Sequence, residues 1–532
     1  MTDWNFGDLI DATARVVPAA RPALIHGDRV IDWGTLDART NRLARAMFDR
    51  GLPVDARVAI MARNVPEYIE IAVACVKARL TYVNINYRYT ESEVEYVLAD
   101  CQAAALFHQA EFTPVIGMLP DRLGGLAVMV DIDGDAYAAM TSEGDGSPLG
   151  IERSGDDGYF LYTGGTTGRP KGVRWRGRDA RRVQMESPTI PRRAKTMDDH
   201  VDIVRNARAG RVIPACPLMH GAGLNSSMAE LVAGGTVILL PSDRFDPVEL
   251  WEQAARHKAT RVLIVGDVFA RPMARALEDN RGRWDLMSMR VISSAGLMWS
   301  EEVKAALVRE LPQVTLVDVL GASEASGFGY AITTATSTTP TGLFDPGSET
   351  VLIEVDTDRV LGADEVGQGW LARRGPFAAG YHGDPVKTAS VYREIGGVAY
   401  AIPGDLAARE PDGRLRLLGR DNMCVNTGGE KVFVEEVEEA LKLAPGIDDV
   451  LVVGVPDATW GKSVAALVTT TGGFDESAIR AALGRTLAAY KIPKRLILLD
   501  ALPRHASGKG DYRAATEIAV AHAAAPDRLS HM

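Results

Sequence analysis

The chain has 532 residues, 46% of them hydrophobic and 24% charged, which is the balance of a globular protein with more length than one ordinary domain uses. Asp plus Glu exceed Lys plus Arg by 70 to 59, a net charge of -11, which argues against a general nucleic-acid binder and still allows a local site for an anion. The four cysteines (Cys75, Cys101, Cys216, Cys424) form no CxxC pair, the opening Met1-Thr2-Asp3-Trp4-Asn5 lacks a basic-then-apolar leader, and no run nears the ~18 apolar residues of a membrane span, so a reducing, cytoplasmic setting is expected.

In chain order, Arg57–Met61 is an apolar run of strand length, and residues 66–77 read as a buried helix with Pro66 in its first turn. Further strands are expected at 103–107, 236–240, 262–265, 291–293 and 315–319, with helices at 246–257 and 300–310 among them. Such alternation predicts a layered α/β body. At Gly419-Arg420-Asp421-Asn422 the texture changes to a polar break. Beyond it come a helix at 434–441, strands at 449–455 and 465–469, and a helix at 476–489, an α+β pattern. The expected organisation is a large N-terminal α/β body over 1–420 and a small C-terminal α+β lobe over 421–532, its last residues disordered. Glu435, Glu436, Glu438 and Glu439 read as a solvated helix face, and the basic stretch from Arg174 to Lys195 as an exposed, loosely ordered loop.

The sharpest local signal is Tyr162-Thr163-Gly164-Gly165-Thr166-Thr167-Gly168-Arg169-Pro170-Lys171-Gly172, where three glycines, three threonines and a lysine fall within the nine residues from Thr163 to Lys171. Glycines let successive N–H groups turn toward one anion, threonines add hydroxyl donors, and lysine supplies a cation, which is what a triphosphate needs. It is not a Walker A loop, because Pro170 precedes Lys171 and Gly172 follows it.

This segment resembles the phosphate loop of the adenylate-forming superfamily, which includes acyl- and aryl-CoA synthetases, peptide-synthetase adenylation domains and firefly luciferase. Further motifs follow in that family's order over nearly the whole chain. Pro217-Leu218-Met219-His220-Gly221-Ala222-Gly223 resembles the segment whose histidine lines the acyl pocket, implying that His220 meets the reacting carboxylate. Ser293-Ser294-Ala295-Gly296 resembles the border of the adenine site. Leu320-Gly321-Ala322-Ser323-Glu324 resembles Y-G-x-T-E, implying a phosphate contact for Ser323 and a Mg²⁺ ligand in Glu324, joined by Thr166. Leu320 stands in place of an aromatic, a loss of stacking worth about 1 kcal/mol. Pro403-Gly404-Asp405 resembles T-G-D, where a buried Asp405 would accept the ribose hydroxyls, and Arg420 would bind ribose or phosphate.

The resemblance also implies a hinge at Asn422 about which the small lobe swings. In one position Lys509, in Pro503-Arg504-His505-Ala506-Ser507-Gly508-Lys509, bridges the carboxylate and the α-phosphate. In the other, Thr427-Gly428-Gly429-Glu430 forms the pantetheine channel. The implied cofactors are ATP, Mg²⁺ and coenzyme A, and the implied activity is AMP-forming acyl-CoA synthesis.

Trp4–Asp8, Val83–Tyr89 and Asn426–Phe433 look like a bacterial fatty-acyl-CoA synthetase branch whose members take long-chain fatty acids or steroid side-chain acids. The pocket candidates Met219, Gly223, Leu224, Gly266, Ala295 and Gly321 are small or apolar, which favours an apolar acid. An aryl-CoA ligase or an enzyme loading a carrier protein is the alternative within the fold, and a P-loop ATPase or nucleotide-binding regulator the alternative outside it. A homodimer is left open.

Overall fold

The computed structural model describes the chain apart from residues 1–3, 118, 164–168, 189, 191–192, 298, 356, 421–423, 471, 505–510 and 525–532. The chain divides into two units, one of Met1–Tyr87, Leu98–Tyr162 and Gly172–Gly419, the other of Arg88–Val97, Thr163–Lys171 and Arg420–Met532.

The first unit holds two sheets. In the larger, Thr315–Leu320, Val291–Ala295, Arg261–Ile264, Arg211–Pro214, Thr236–Leu239 and Pro22–His26 lie side by side and parallel, continued at the first of these by antiparallel strands from Gly329–Thr333 onward. In the other, Gly158–Thr163, Thr81–Asn84, Arg57–Met61, Ala103–His108 and Val128–Asp131 are parallel neighbours. Helices cross between them, as parallel pairing demands. The expected strands are present, most within a residue or two of the expected ends.

Helix Pro66–Lys77 is apolar nearly all round because nearly all of it is buried. Its one cation, Lys77, is fully buried and is paired with Asp37 at 2.6 Å and Asp11 at 3.1 Å. Helices Pro247–Arg256 and Glu301–Glu310 begin where Asp246 and Ser300 cap free backbone N–H groups with their side chains. Trp251 and Trp299 are both fully buried and belong to one apolar cluster with Ile264, Ile292 and Leu316.

The basic stretch is regular strand and helix, not loop, as far as Glu186. Arg174 and Arg176 lie on strand Lys171–Arg176, and Gly177–Glu186 is a helix. Arg174 approaches Asp55, and Arg176 and Arg178 both reach Asp156, so acids distant in sequence neutralise the run. Arg181 is buried.

In the second unit, Cys424–Thr427 and Glu430–Phe433 form a hairpin whose two turn residues, Gly428 and Gly429, have φ of +56° and +89°. Both positive values suit the primed turns that match strand twist. A Cβ on Gly428 would also fall 2.5 Å from the Trp460 ring, so glycine is required there twice over. Helix Val434–Lys442 follows, then a long antiparallel pair, Ile447–Asp457 with Gly461–Thr470, flanked by the parallel strand Arg495–Leu498. The helix expected over 476–489 stops at Leu483, with Gly484 as its C-cap. A helix at Tyr512–Ala524 was not anticipated, although Asp511 accepts from the backbone N–H of Ala514 at its start.

Two acids of the run expected as a solvated face are not solvated. Glu436 and Glu438 are buried. Lys491, itself buried, bridges Glu436 at 2.7 Å and Glu93 at 2.6 Å, and its ammonium stands 4.9 Å from the Tyr89 ring centroid. Glu438 accepts from the Val452 N–H at 2.8 Å and from the Tyr512 hydroxyl at 3.0 Å.

Candidate active site

Parallel strands deliver their C-terminal ends to one edge of a sheet, and open α/β sheets bind ligands beyond that edge. Three of the expected segments arrive there in the first unit. Strand Arg211–Pro214 leads to His220, strand Val291–Ala295 carries Ser294 and Ala295, and strand Thr315–Leu320 carries Leu320. The last two are locked in register, Ser294 against Asp318 and Ala295 against Val319. The adenine-border segment and the Leu320–Glu324 segment are thereby neighbours, as the sequence motifs imply.

His220 is the N-cap of helix Gly221–Val232 and is half-buried, with Met219 and Leu224 fully buried on either side in sequence. Ser294 is fully buried, and its Oγ accepts from the Gly266 N–H at 2.9 Å. Its side chain therefore ties the start of the preceding helix, Gly266–Asp279, to the strand. Gly296 follows with φ of +92°, a conformation that suits glycine.

Leu320, Gly321, Ala322, Ser323 and Glu324 are all half-buried in a loop tied down from several directions. The Ala322 N–H donates to the Ala325 carbonyl at 2.7 Å and the Phe328 N–H to the Leu320 carbonyl at 3.0 Å. Trp175 donates its indole N–H to the Ser323 carbonyl at 2.8 Å. Tyr381 donates to the Glu324 carboxylate at 2.5 Å, while the Glu324 carbonyl accepts from the Ala378 N–H at 3.0 Å and the Tyr392 hydroxyl at 3.3 Å. Burial, with the Glu324 charge added, pushes the Tyr392 phenol well up. Arg373, fully buried, donates to the Gly327 carbonyl at 3.0 Å and pairs with Glu186, anchoring the far end of the loop. Sequence reasoning missed Trp175, Tyr381, Tyr392 and Arg373, because each reaches the loop only through tertiary pairing.

Asp405 opens strand Asp405–Arg409 and is half-buried, not buried as its expected ribose role assumed. Such a carboxylate keeps access to water as well as to a polyol.

In the second unit, Thr163 ends strand Gly158–Thr163 and Lys171 begins strand Lys171–Arg176, so the motif connects two strands. Gly164, Gly165, Thr166, Thr167, Gly168, Asn422 and Lys509 lie outside the described residues, as does the side chain of Arg420. Thr427 and Glu430 are buried on either side of the Gly428-Gly429 turn, and Glu430 pairs with Arg88.

Among the described residues, no three His, Cys, Asp or Glu side chains gather as a metal cage. A single carboxylate such as Glu324 nevertheless fits Mg²⁺, which keeps several waters and takes one or two carboxylates plus substrate phosphate oxygens.

Asp318 lies on the same face of its strand as Leu320, two residues inside it, and burial pushes its carboxyl up to about 7 despite the Lys304 ammonium. The folded protein thus holds this proton more tightly than the unfolded chain does. The associated stability is full below the ordinary carboxylate value and is lost as pH rises through about 7. Asp318→Asn is expected to gain about 3 kcal/mol on the parent between pH 5 and pH 8, read from urea unfolding at both values. A gap that does not change with pH contradicts the burial of an ionisable group here.

Comparison with known proteins shows the family. The profile of the AMP-binding enzyme family matches residues 10–382, and that of the AMP-binding enzyme C-terminal domain matches residues 436–509. The chain is 35% identical to the medium-chain acyl-CoA ligase Mig of Mycobacterium avium, over 98% of this chain and 100% of that protein. It is also 35% identical to a medium/long-chain-fatty-acid–CoA/3-oxocholest-4-en-26-oate–CoA ligase of Mycolicibacterium smegmatis, over 97% and 96%. Among solved structures, the amide bond synthetase McbA from Marinactinospora thermotolerans shares the fold, with a TM-score of 0.80 at 24% identity over 97% of this chain and 99% of that one.

Proposed function

The chain belongs to the AMP-binding enzyme family as an AMP-forming acid–CoA ligase, and we propose that its acid is apolar, a medium- to long-chain fatty acid or a steroid side-chain acid. The observation that carries the substrate class is the full-length similarity to ligases named for those acids. The fully buried apolar neighbours of His220, Met219 and Leu224, support the same choice, since neither would read a charged substituent.

A carboxylate is a poor acyl donor because oxide is a poor leaving group. In the first half-reaction a carboxylate oxygen attacks the α-phosphorus of ATP, and the bond to pyrophosphate breaks. In the second, the CoA thiolate attacks the acyl carbon, and AMP leaves with the electron pair of the broken C–O bond.

The proposed roles follow the charge. Thr163, Gly164, Gly165, Thr166, Thr167, Gly168 and Lys171 cradle the phosphates, with Ser323 adding a hydroxyl. Ser294, Ala295, Gly296, Leu320, Gly321 and Ala322 border the adenine, and Asp405 and Arg420 hold the ribose. Mg²⁺, bound through Glu324 and Thr166, would offset charge building on the leaving pyrophosphate. Lys509 screens the repulsion between carboxylate and α-phosphate in the first half-reaction. His220 orients the carboxylate. Thr427, Gly428, Gly429 and Glu430 serve the second half-reaction, guiding the pantetheine thiol. The lobe over 421–532 supplies Lys509 to the first half-reaction and Thr427 to Glu430 to the second, the body over 1–420 supplies the nucleotide and acyl groups, and Asn422 is the hinge.

Acid-dependent exchange of labelled pyrophosphate into ATP tests the first half-reaction directly. Exchange stimulated by octanoate, palmitate or a steroid side-chain acid, and not by benzoates or amino acids, is expected. Stimulation by aromatic acids alone overturns the substrate class, and steady γ-phosphate release without any acid overturns the ligase reading.

A further inference from the structure

We propose that Tyr381 is the positioning residue for the Glu324 carboxylate, a phenol that fixes the plane in which that carboxylate meets the cation of the bound triphosphate. This rests on the reading of Glu324 as the metal carboxylate. The last torsion of a glutamate side chain is broad, so the chain alone leaves the two oxygens poorly defined. A donor held rigidly at one oxygen defines both. Tyr381 is such a donor, its hydroxyl 2.5 Å from Glu324 Oε1.

The rigidity comes from a short stretch that grips the glutamate at backbone and side chain together. Strand Gly380–Tyr381 pairs with Arg174 and Val173, and the Tyr381 N–H donates to the Thr388 hydroxyl at 3.0 Å. From the same stretch, the Ala378 N–H and the Tyr392 hydroxyl hold the Glu324 carbonyl. The Tyr381 and Tyr392 rings meet edge to face with centroids 6.3 Å apart. These contacts hold the two backbones in register, so the phenol stays within reach of the carboxylate.

Folding does not require the bond. Tyr381 and Glu324 are both half-buried, so water can replace a lost partner on either side. The cost of removing the phenol therefore falls on the ion that needs an oriented carboxylate. Outer groups that orient a metal ligand act in this way, through affinity for the metal.

The test compares the parent, Tyr381→Phe and Glu324→Gln as purified full-length protein. Binding of Mn²⁺ to the protein–ATP complex is followed by water-proton relaxation, and binding of metal-free ATP by calorimetry. Tyr381→Phe is expected to weaken Mn²⁺ about tenfold, the size of one hydrogen bond to a charged group, with metal-free ATP affinity unchanged. Because the readout is a ratio of two affinities on one preparation, a smaller folded fraction does not imitate it. Parent-like Mn²⁺ binding in Tyr381→Phe, with weakened binding in Glu324→Gln, overturns the role of Tyr381 alone. Parent-like binding in Glu324→Gln overturns the metal reading beneath it. Equal weakening of metal-free ATP makes Tyr381 a general wall of the nucleotide site and also overturns the proposal.

Discussion

Lys509→Ala is expected to lower acid-dependent pyrophosphate exchange by about 10³-fold while leaving thiolysis of a supplied acyl-adenylate near the parent rate. The first half-reaction brings two anions, a carboxylate and a triphosphate, to within bonding distance. Their repulsion is greatest in the transition state, where charge also builds on the bridging oxygens. One positioned ammonium lowers that barrier and has no counterpart in the second half-reaction, in which the attacking thiolate meets an activated carbonyl. The two rates are measured separately, exchange with acid, ATP and labelled pyrophosphate, and thiolysis with synthetic adenylate and CoA. Equal loss of both contradicts the assignment and makes Lys509 a structural or shared binding group.

Glu324→Gln is expected to cost about 10²-fold in the same exchange, with a higher Mg²⁺ concentration needed for half-maximal rate. The substitution keeps shape and leaves an oxygen to accept from Tyr381, so the loop 320–328, held by Trp175, Ala378, Tyr392 and Arg373, keeps its conformation. What is lost is the negative charge proposed to hold a divalent cation beside the phosphates. A Mg²⁺ titration of the exchange rate separates the two effects. Loss of rate with an unchanged Mg²⁺ midpoint contradicts a metal role and leaves Glu324 as an anchor of its loop.

The parallel body was legible in the sequence because buried strands and helices carry their signals locally. The apolar run Arg57–Met61, Pro66 at the first turn of its helix, and the capping residues Asp246 and Ser300 each mark an element without reference to the rest of the chain. The motif-bearing segments placed the chain in its family for a related reason, since glycines and hydroxyls close in sequence to a lysine have few other uses.

What was missed is what depends on distant partners. Nothing local marks Tyr381 as the neighbour of Glu324, 57 residues earlier, or Trp175 as the donor to Ser323, 148 residues later. The acids of helix Val434–Lys442 read as solvated because their partners, Glu436 with Lys491 and Glu438 with Tyr512, come from far along the chain. Two errors had local signals that went unused. Gly484 marks the end of the helix expected to run to 489, and Asp511 marks the start of the helix in the alanine-rich tail.

The most direct measurement is CoA-dependent release of AMP by the purified protein with ATP, Mg²⁺ and a panel of aliphatic, aromatic and steroidal acids, with the thioester identified by mass. AMP and acyl-CoA are expected in equal amounts with the aliphatic or steroidal acids, and neither product when acid or CoA is omitted. Adenylate or AMP formation without any thioester, across all the acids, contradicts CoA as the acceptor.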